Sequence, residues 1–216
     1  MKKLTFIIVI SFLLYTSVSI GQDNPLHYGV KLGLVNSTMA KNFQSIGDNR
    51  IGITAGGFVN YDLKKSLSVE ADVLYTQQGI TNTLPLTTKN YPTSTNICFH
   101  TIEVPLLLSF NSHDIDGITP RIFLGHSFGY ILSAIASNRE QFDVAPVKYF
   151  YTKEDVSSKF NNLDFGIVMG IGISFKVGSH NLILDARYKF GYTNINTSAF
   201  DKYSNNALTV TAGLEL

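Results

Sequence analysis

The sequence predicts an all-β fold: an eight-stranded antiparallel up-and-down transmembrane β-barrel. Three observations predict it. Eight stretches alternate apolar and polar residues with period two, the mark of a strand with two unlike faces. Short and long connections alternate between them. Aromatic residues stand at both ends of the apolar faces.

The stretch Ser66 to Gly79 is the type example. Leu67, Val69, Ala71, Val73 and Tyr75 form one face; Ser66, Ser68, Glu70, Asp72, Thr76 and Gln78 form the other, with Leu74 its only strongly apolar member. It is about twice the usual strand length of a soluble sheet. A bilayer is crossed by strands of about ten residues, apolar outward and polar inward.

The other segments repeat the pattern. Tyr28 to Val35 comes first, with Tyr28, Val30, Leu32 and Leu34 outward and Lys31 inward. Gly52 to Leu63 is second, and Ser66 to Gly79 third. Phe99 to Phe110 is fourth, with Glu103 inward, and Pro120 to Leu132 fifth, with Arg121 inward. Leu163 to Lys176 is sixth; Asp164, three glycines, Ser174 and Lys176 share its inner face. Asn181 to Thr193 is seventh, with Asp185, Arg187 and Lys189 inward. Ala207 to Leu216 is eighth, with Glu215 inward.

The connections after the second, fourth and sixth segments are short; those after the first, third, fifth and seventh are long, the longest running from Ser133 to Asn162. Outer-membrane barrels have short periplasmic turns and long extracellular loops. Outward Tyr28, Tyr61, Phe110 and Phe175 stand at the short-turn end, and Tyr75, Tyr130, Phe165 and Tyr192 at the other. Two such rings match the aromatic girdles of a membrane interface.

Composition excludes several classes. The 216 residues carry a formal net charge of +1, which fits one domain and offers no basic surface for nucleic acid. One cysteine, Cys98, forms no internal disulfide framework, and no metal or other cofactor is expected. Lys2 and Lys3 precede an apolar run from Leu4 to Tyr15, followed by small Ser19 and Gly21. Residues 1–21 thus read as a signal peptide cleaved near Gly21, and residues 22–216 as the barrel domain.

The inward charges form a candidate lumen network: Lys31, Glu70, Asp72, Glu103, Arg121, Asp164, Lys176, Asp185, Arg187, Lys189 and Glu215. An eight-stranded barrel is about wide enough for its own side chains, so these charges must pair or hold water. An ion path would need a wider lumen or one dominant sign. Gly166, Gly170 and Gly172 give room to bulky lumen neighbours. The five histidines are scattered, and no catalytic residues are assigned. The longest connection carries a candidate binding set, Phe142, Tyr149, Phe150 and Tyr151, among charged residues. Such residues suit a contact surface, while a loop folded into the mouth as a plug is the alternative.

The runs Leu67 to Gly79, Ile102 to Leu108, Pro120 to Leu132, Asp164 to Gly172 and Leu184 to Tyr188 resemble the third to seventh strands of the PorT-like outer-membrane β-barrels of Bacteroidetes. The sequence departs from the usual barrel ending in having Leu216 where an aromatic residue is expected. The resemblance implies location in the cell outer membrane and, through a named member, an association with export by the type IX secretion system.

The function expected is a small non-catalytic outer-membrane barrel. It acts through its extracellular loops as a binding or accessory protein, with outer-membrane lipid and a secretion-machinery or other envelope protein as partners. The alternatives are a barrel-embedded hydrolase or acyltransferase and a secreted lipocalin-like ligand-binding barrel.

Overall fold

The computed structural model describes residues 25–41, 44–45, 47–84, 93–142, 148–197 and 202–216. The signal peptide expected over residues 1–21 lies outside them. The strands are β1 (Leu26–Lys41), β2 (Gln44–Ser45), β3 (Asp48–Lys64), β4 (Leu67–Leu84), β5 (Thr93–Asn111), β6 (Ile118–Phe142), β7 (Lys148–Asp155), β8 (Leu163–Val177), β9 (His180–Gly191) and β10 (Ser204–Glu215). A short 3₁₀ turn, Ser157–Lys159, joins β7 to β8.

Eight of these strands close a barrel. Neighbours pair antiparallel in the order β1, β3, β4, β5, β6, β8, β9, β10, and β10 returns to β1 from Gly29↔Glu215 to Ala40↔Ser204. Closure leaves no barrel edge unpaired. Hydrocarbon offers no partner to a bare N–H or C=O, so only helices and closed barrels can span it. No described helix is long and apolar enough to cross a membrane.

The burial pattern is inside out relative to a soluble protein. Glu70 and Asp72 are fully buried, while Leu32 and Ile171 are 65% and 64% exposed. The exposed set follows one strand face around the wall, through Val30, Leu34, Ile53, Val73, Leu108, Leu124, Met169 and Val210. The aromatic ends stay outward: Tyr28, Tyr61 and Phe110 are exposed near the short turns, Tyr130 and Tyr192 near the long connections.

At the short-turn end, Lys65–Ser66 and Gly178–Ser179 make two-residue hairpins. Gly178 has φ +64°, a left-handed conformation that glycine adopts without steric cost. The third turn closes with the Gly117 N–H donating to Asp114 Oδ1 at 2.7 Å. Inside the wall, the β4–β5 ladder skips Asp72 and Val73, opposite Pro105 and Val104. Proline has no N–H to give to a ladder.

The strands run past the predicted ends at the long-connection side. β6 has 25 residues, and its outer part pairs with β7 from Ile135↔Asp155 to Phe142↔Lys148. Much of the stretch expected to be a loop from Ser133 to Asn162 is therefore a hairpin rising from the barrel.

The two wall faces should respond differently to charge. Ile171→Arg is expected to cost about 2–4 kcal/mol if it lies near the bilayer midplane. Ser174→Thr should change stability by no more than about 0.5 kcal/mol. Urea titration of the barrel refolded into lipid vesicles measures both; equal tolerance contradicts the assignment of faces.

Candidate functional site

Lumen side chains come from alternate positions of every wall strand, and they meet in two charged groups. The group nearer the short turns is built on β1, β4, β6 and β9. Lys31 Nζ lies 2.5 Å from Glu70 Oε1, 3.2 Å from Asp72 Oδ1 and 3.6 Å from Asp185 Oδ2. Arg121 grips Asp185 with two nitrogens, Nε at 2.9 Å and Nη2 at 2.6 Å, and reaches Glu70 Oε2 with Nη1 at 2.9 Å. Arg187 Nη1 donates to Asp72 Oδ2 at 2.8 Å. Three cations thus face three carboxylates. The forked Arg121–Asp185 contact is the geometry in which an ion pair is strongest.

The group nearer the long connections is built on β4, β5, β6, β8, β9 and β10. Lys189 Nζ donates to Asp164 Oδ2 at 2.8 Å and lies 3.5 Å from Glu103 Oε1. Glu103 also accepts from Ser127 Oγ at 2.5 Å and Gln78 Nε2 at 2.9 Å. Asn205 Nδ2 donates to Asp164 Oδ2 at 3.2 Å and to Gln78 Oε1. Buried carboxylates are tolerable only when charges and donors surround them in this way.

Apolar layers separate and cap these groups. Leu107, Phe123 and Val168 pack together. The Phe123 ring lies 5.2 Å from the Arg121 guanidinium. A side chain at Gly170 would run into Phe123, at Gly172 into Asp185, and at Gly166 into Lys189, so these glycines make room for lumen contents. At the mouth, Met39, Ile80, Phe99, Ile131, Val156 and Ile195 form a dry cap, with Phe160 set edge-on to Phe99 at 4.8 Å.

The sequence-predicted residues fall into three sets. Lys31, Glu70, Asp72, Glu103, Arg121, Asp164, Asp185, Arg187 and Lys189 come together in the lumen. Glu215 stands apart at the short-turn rim, where Asn181 Nδ2 donates to it at 2.7 Å and His27 Nδ1 lies 3.1 Å away. Lys176 departs from expectation. It is exposed one residue before the end of β8, where its strand leaves the lumen and water takes its charge.

Of the predicted binding residues, Tyr151 is 71% exposed on β7. The side chains of Phe142, Tyr149 and Phe150 lie outside the described ones, although their backbones pair in the hairpin. The reading of charges alone missed Gln78, Ser127 and Asn205. Gln78 already stood in the polar phase of its strand.

The histidines take separate places. His27 lies between Asp62 at 3.3 Å and Glu215 at the rim. His100 Nδ1 is 2.5 Å from the Tyr75 hydroxyl, on the outward face beside Cys98. His126 packs against Phe128 and Tyr192. Among the described residues no three His, Cys, Asp or Glu side chains are grouped as metal ligands.

A closed barrel with an exposed apolar belt and a charged, capped lumen is the architecture of a bacterial outer-membrane protein. The chain belongs to the family described as outer membrane protein beta-barrel domain, which matches residues 20–196. Among solved structures it is similar to Neisserial surface protein A: 13% identity, 88% of this chain and 96% of that one covered, TM-score 0.48. It is also similar to Ail, the attachment invasion locus protein of Yersinia pestis, solved with the heparin analogue sucrose octasulfate: 12% identity, 89% and 100% covered, TM-score 0.42. A third is the N-terminal β-barrel domain of OprF from Pseudomonas aeruginosa: 9% identity, 90% and 100% covered, TM-score 0.40. No curated protein matches the sequence.

The lumen network carries a stability prediction. Lys31→Met leaves Glu70 and Asp72 facing each other with one cation fewer, and is expected to cost about 3–5 kcal/mol. Lys176→Met, outside the network, should stay within about 0.5 kcal/mol. Denaturant titration of the two refolded variants checks this; equal loss in both means the network does not hold the lumen.

Proposed function

We propose that this barrel is a non-catalytic binding or accessory protein of the outer membrane, acting through the β6–β7 hairpin. One observation carries the reading. The hairpin projects beyond the barrel mouth, and Tyr151, Thr152, Lys153, Glu154 and Asp155 are exposed in unbroken succession. Residues packed on the barrel would be buried at alternate positions.

The connection divides its work. Val156 and Phe160 enter the apolar cap, so the stretch after β7 closes the mouth. The Ala134 N–H donates to Ser157 Oγ at 2.9 Å and ties that stretch to β6. Asp155 accepts from the Ser157 N–H at 2.9 Å and from Ser157 Oγ at 2.5 Å. These two donors hold its carboxyl below the usual carboxylate range. The hairpin therefore stands on a fixed base while Tyr151 to Asp155 of β7 face water.

Exposed aromatics beside charges give large contact area at low entropic cost, as binding surfaces require. The resemblance to PorT-like barrels makes envelope and secretion-machinery proteins the first partners to test. The capped lumen favours contact over conduction, because its charges are paired and its mouth is filled.

Replacing residues 138–153 by a short Gly-Ser linker keeps Val156 and Phe160. The shortened barrel is expected to remain heat-modifiable on gels and inserted in the outer membrane. It should lose the protein that co-purifies with the intact form from native membranes. A shortened barrel that keeps that partner places the binding surface elsewhere.

A further inference from the structure

β7 leaves one of its edges unmade. It pairs with β6 through all eight residues, and among the described residues no strand pairs with its other side. Such an edge is a row of bare N–H and C=O groups and a template for another strand. Both faces from Tyr151 to Asp155 are open as well, so among the described residues nothing screens that part of the edge.

The residues on the edge select what can be added. From tip to base β7 reads Lys-Tyr-Phe-Tyr-Thr-Lys-Glu-Asp, with a lysine leading and two acids closing. Val156 gives its N–H to Ala134 of β6, so along β7 the even-numbered residues bond to β6 and the odd-numbered ones point their N–H and C=O to the free edge. Consider a second β7 on that same edge, laid antiparallel with Tyr151 opposite itself. Lys148 of each copy then stands opposite Glu154 of the other, Tyr149 opposite Lys153, and Phe150 opposite Thr152. Opposite charges facing across a strand pair stabilise it, and like charges destabilise it. A parallel in-register pair instead sets Lys148, Lys153, Glu154 and Asp155 each beside its own kind.

Membrane geometry then locates the second copy. β6 leads out of the barrel and β7 returns toward it. Two copies in one membrane are related by a two-fold axis along the membrane normal. That rotation keeps an inward-running strand running inward, so β7 would meet β7 in parallel, the arrangement its charges oppose. Antiparallel pairing needs an axis lying in the membrane plane, which relates barrels in two facing membranes.

We infer that β7 is a homotypic pairing edge, joining this barrel to a second copy on an apposed membrane through an antiparallel β7–β7 pair. The inference rests on the hairpin being the binding surface and names its occupant. The same charges that draw facing copies together keep neighbours in one membrane apart, a discrimination obtained by repulsion as much as by attraction.

The test uses purified full-length barrel in two batches of phosphatidylcholine vesicles, one with a donor and one with an acceptor lipid dye. Light scattering and energy transfer between vesicles report clustering. Wild-type vesicles are expected to cluster in proportion to protein density, and vesicles bearing the barrel without residues 138–153 to stay dispersed. Lys148→Glu vesicles should lose clustering with themselves, and so should Glu154→Lys vesicles. A mixture of the two should regain it, because both Lys–Glu pairs are restored, one of them with its signs exchanged.

Dispersed wild-type vesicles overturn the inference. So does clustering without the hairpin, or a mixture that clusters no better than either variant alone. Dispersed wild-type vesicles, with a hairpin that still retains another membrane partner, defeat self-pairing and leave the hairpin as the binding surface. A hairpinless barrel that retains that partner defeats both readings.

Discussion

The pairing of β1 with β10 is the constraint on which the rest of the structure depends. A strand wall in hydrocarbon must satisfy every backbone donor and acceptor within itself, so it has to close. Once closed with eight strands, it has an outside that meets lipid and a narrow inside that does not. The outward positions can then be Leu, Ile and Val, as Leu32 and Ile171 are. The inward positions can be Glu70, Asp72 and Arg121, because the wall excludes lipid from them and each finds an opposite charge or a donor.

The lumen charges hold the barrel together only as a set. Replacing a buried ion network by well-packed apolar residues is often neutral, whereas removing one member strands its partners. Here Lys31 reaches three carboxylates that sit on β4 and β9, so a change on β1 is felt across the barrel. The smaller polar residues complete the second group. Gln78 donates to Glu103 Oε2 while Lys189 faces Oε1, and Asn205 joins Lys189 on Asp164 Oδ2, so Glu103 and Asp164 can share one ammonium.

The spanning wall was legible in the sequence because two solvents select against each other along every strand. Lipid outside and a polar lumen inside enforce period two from Tyr28 to Leu34, and again from Leu67 to Tyr75. Above the bilayer that selection ends. Ala134 and Ala136 still face the apolar cap, but from Ser137 onward the sequence no longer alternates, while the backbone pairing continues to Phe142. The hairpin therefore reads as a loop. Lys176 failed for the opposite reason: its phase is right, but its height on the strand places it in water. Gln78 and Ser127 were hidden because inward phase marks a polar residue without saying which neighbours it will meet across the lumen, and Asn205 because its strand begins at Ser204, ahead of the predicted start at Ala207.

The division between a sealed wall and an open hairpin gives the protein its character. The wall contributes rigidity and location, and in the function proposed here the hairpin contributes recognition. The claim beneath both is that alternate residues face lipid and lumen. The sequence contains no tryptophan, so a single introduced one reports without background. Phe123 is buried in the lumen and its neighbour Leu124 is exposed on the wall. In vesicles made with brominated lipid, the fluorescence of Leu124→Trp should be strongly quenched and that of Phe123→Trp should not. Equal quenching of the two would contradict the assignment of inside and outside.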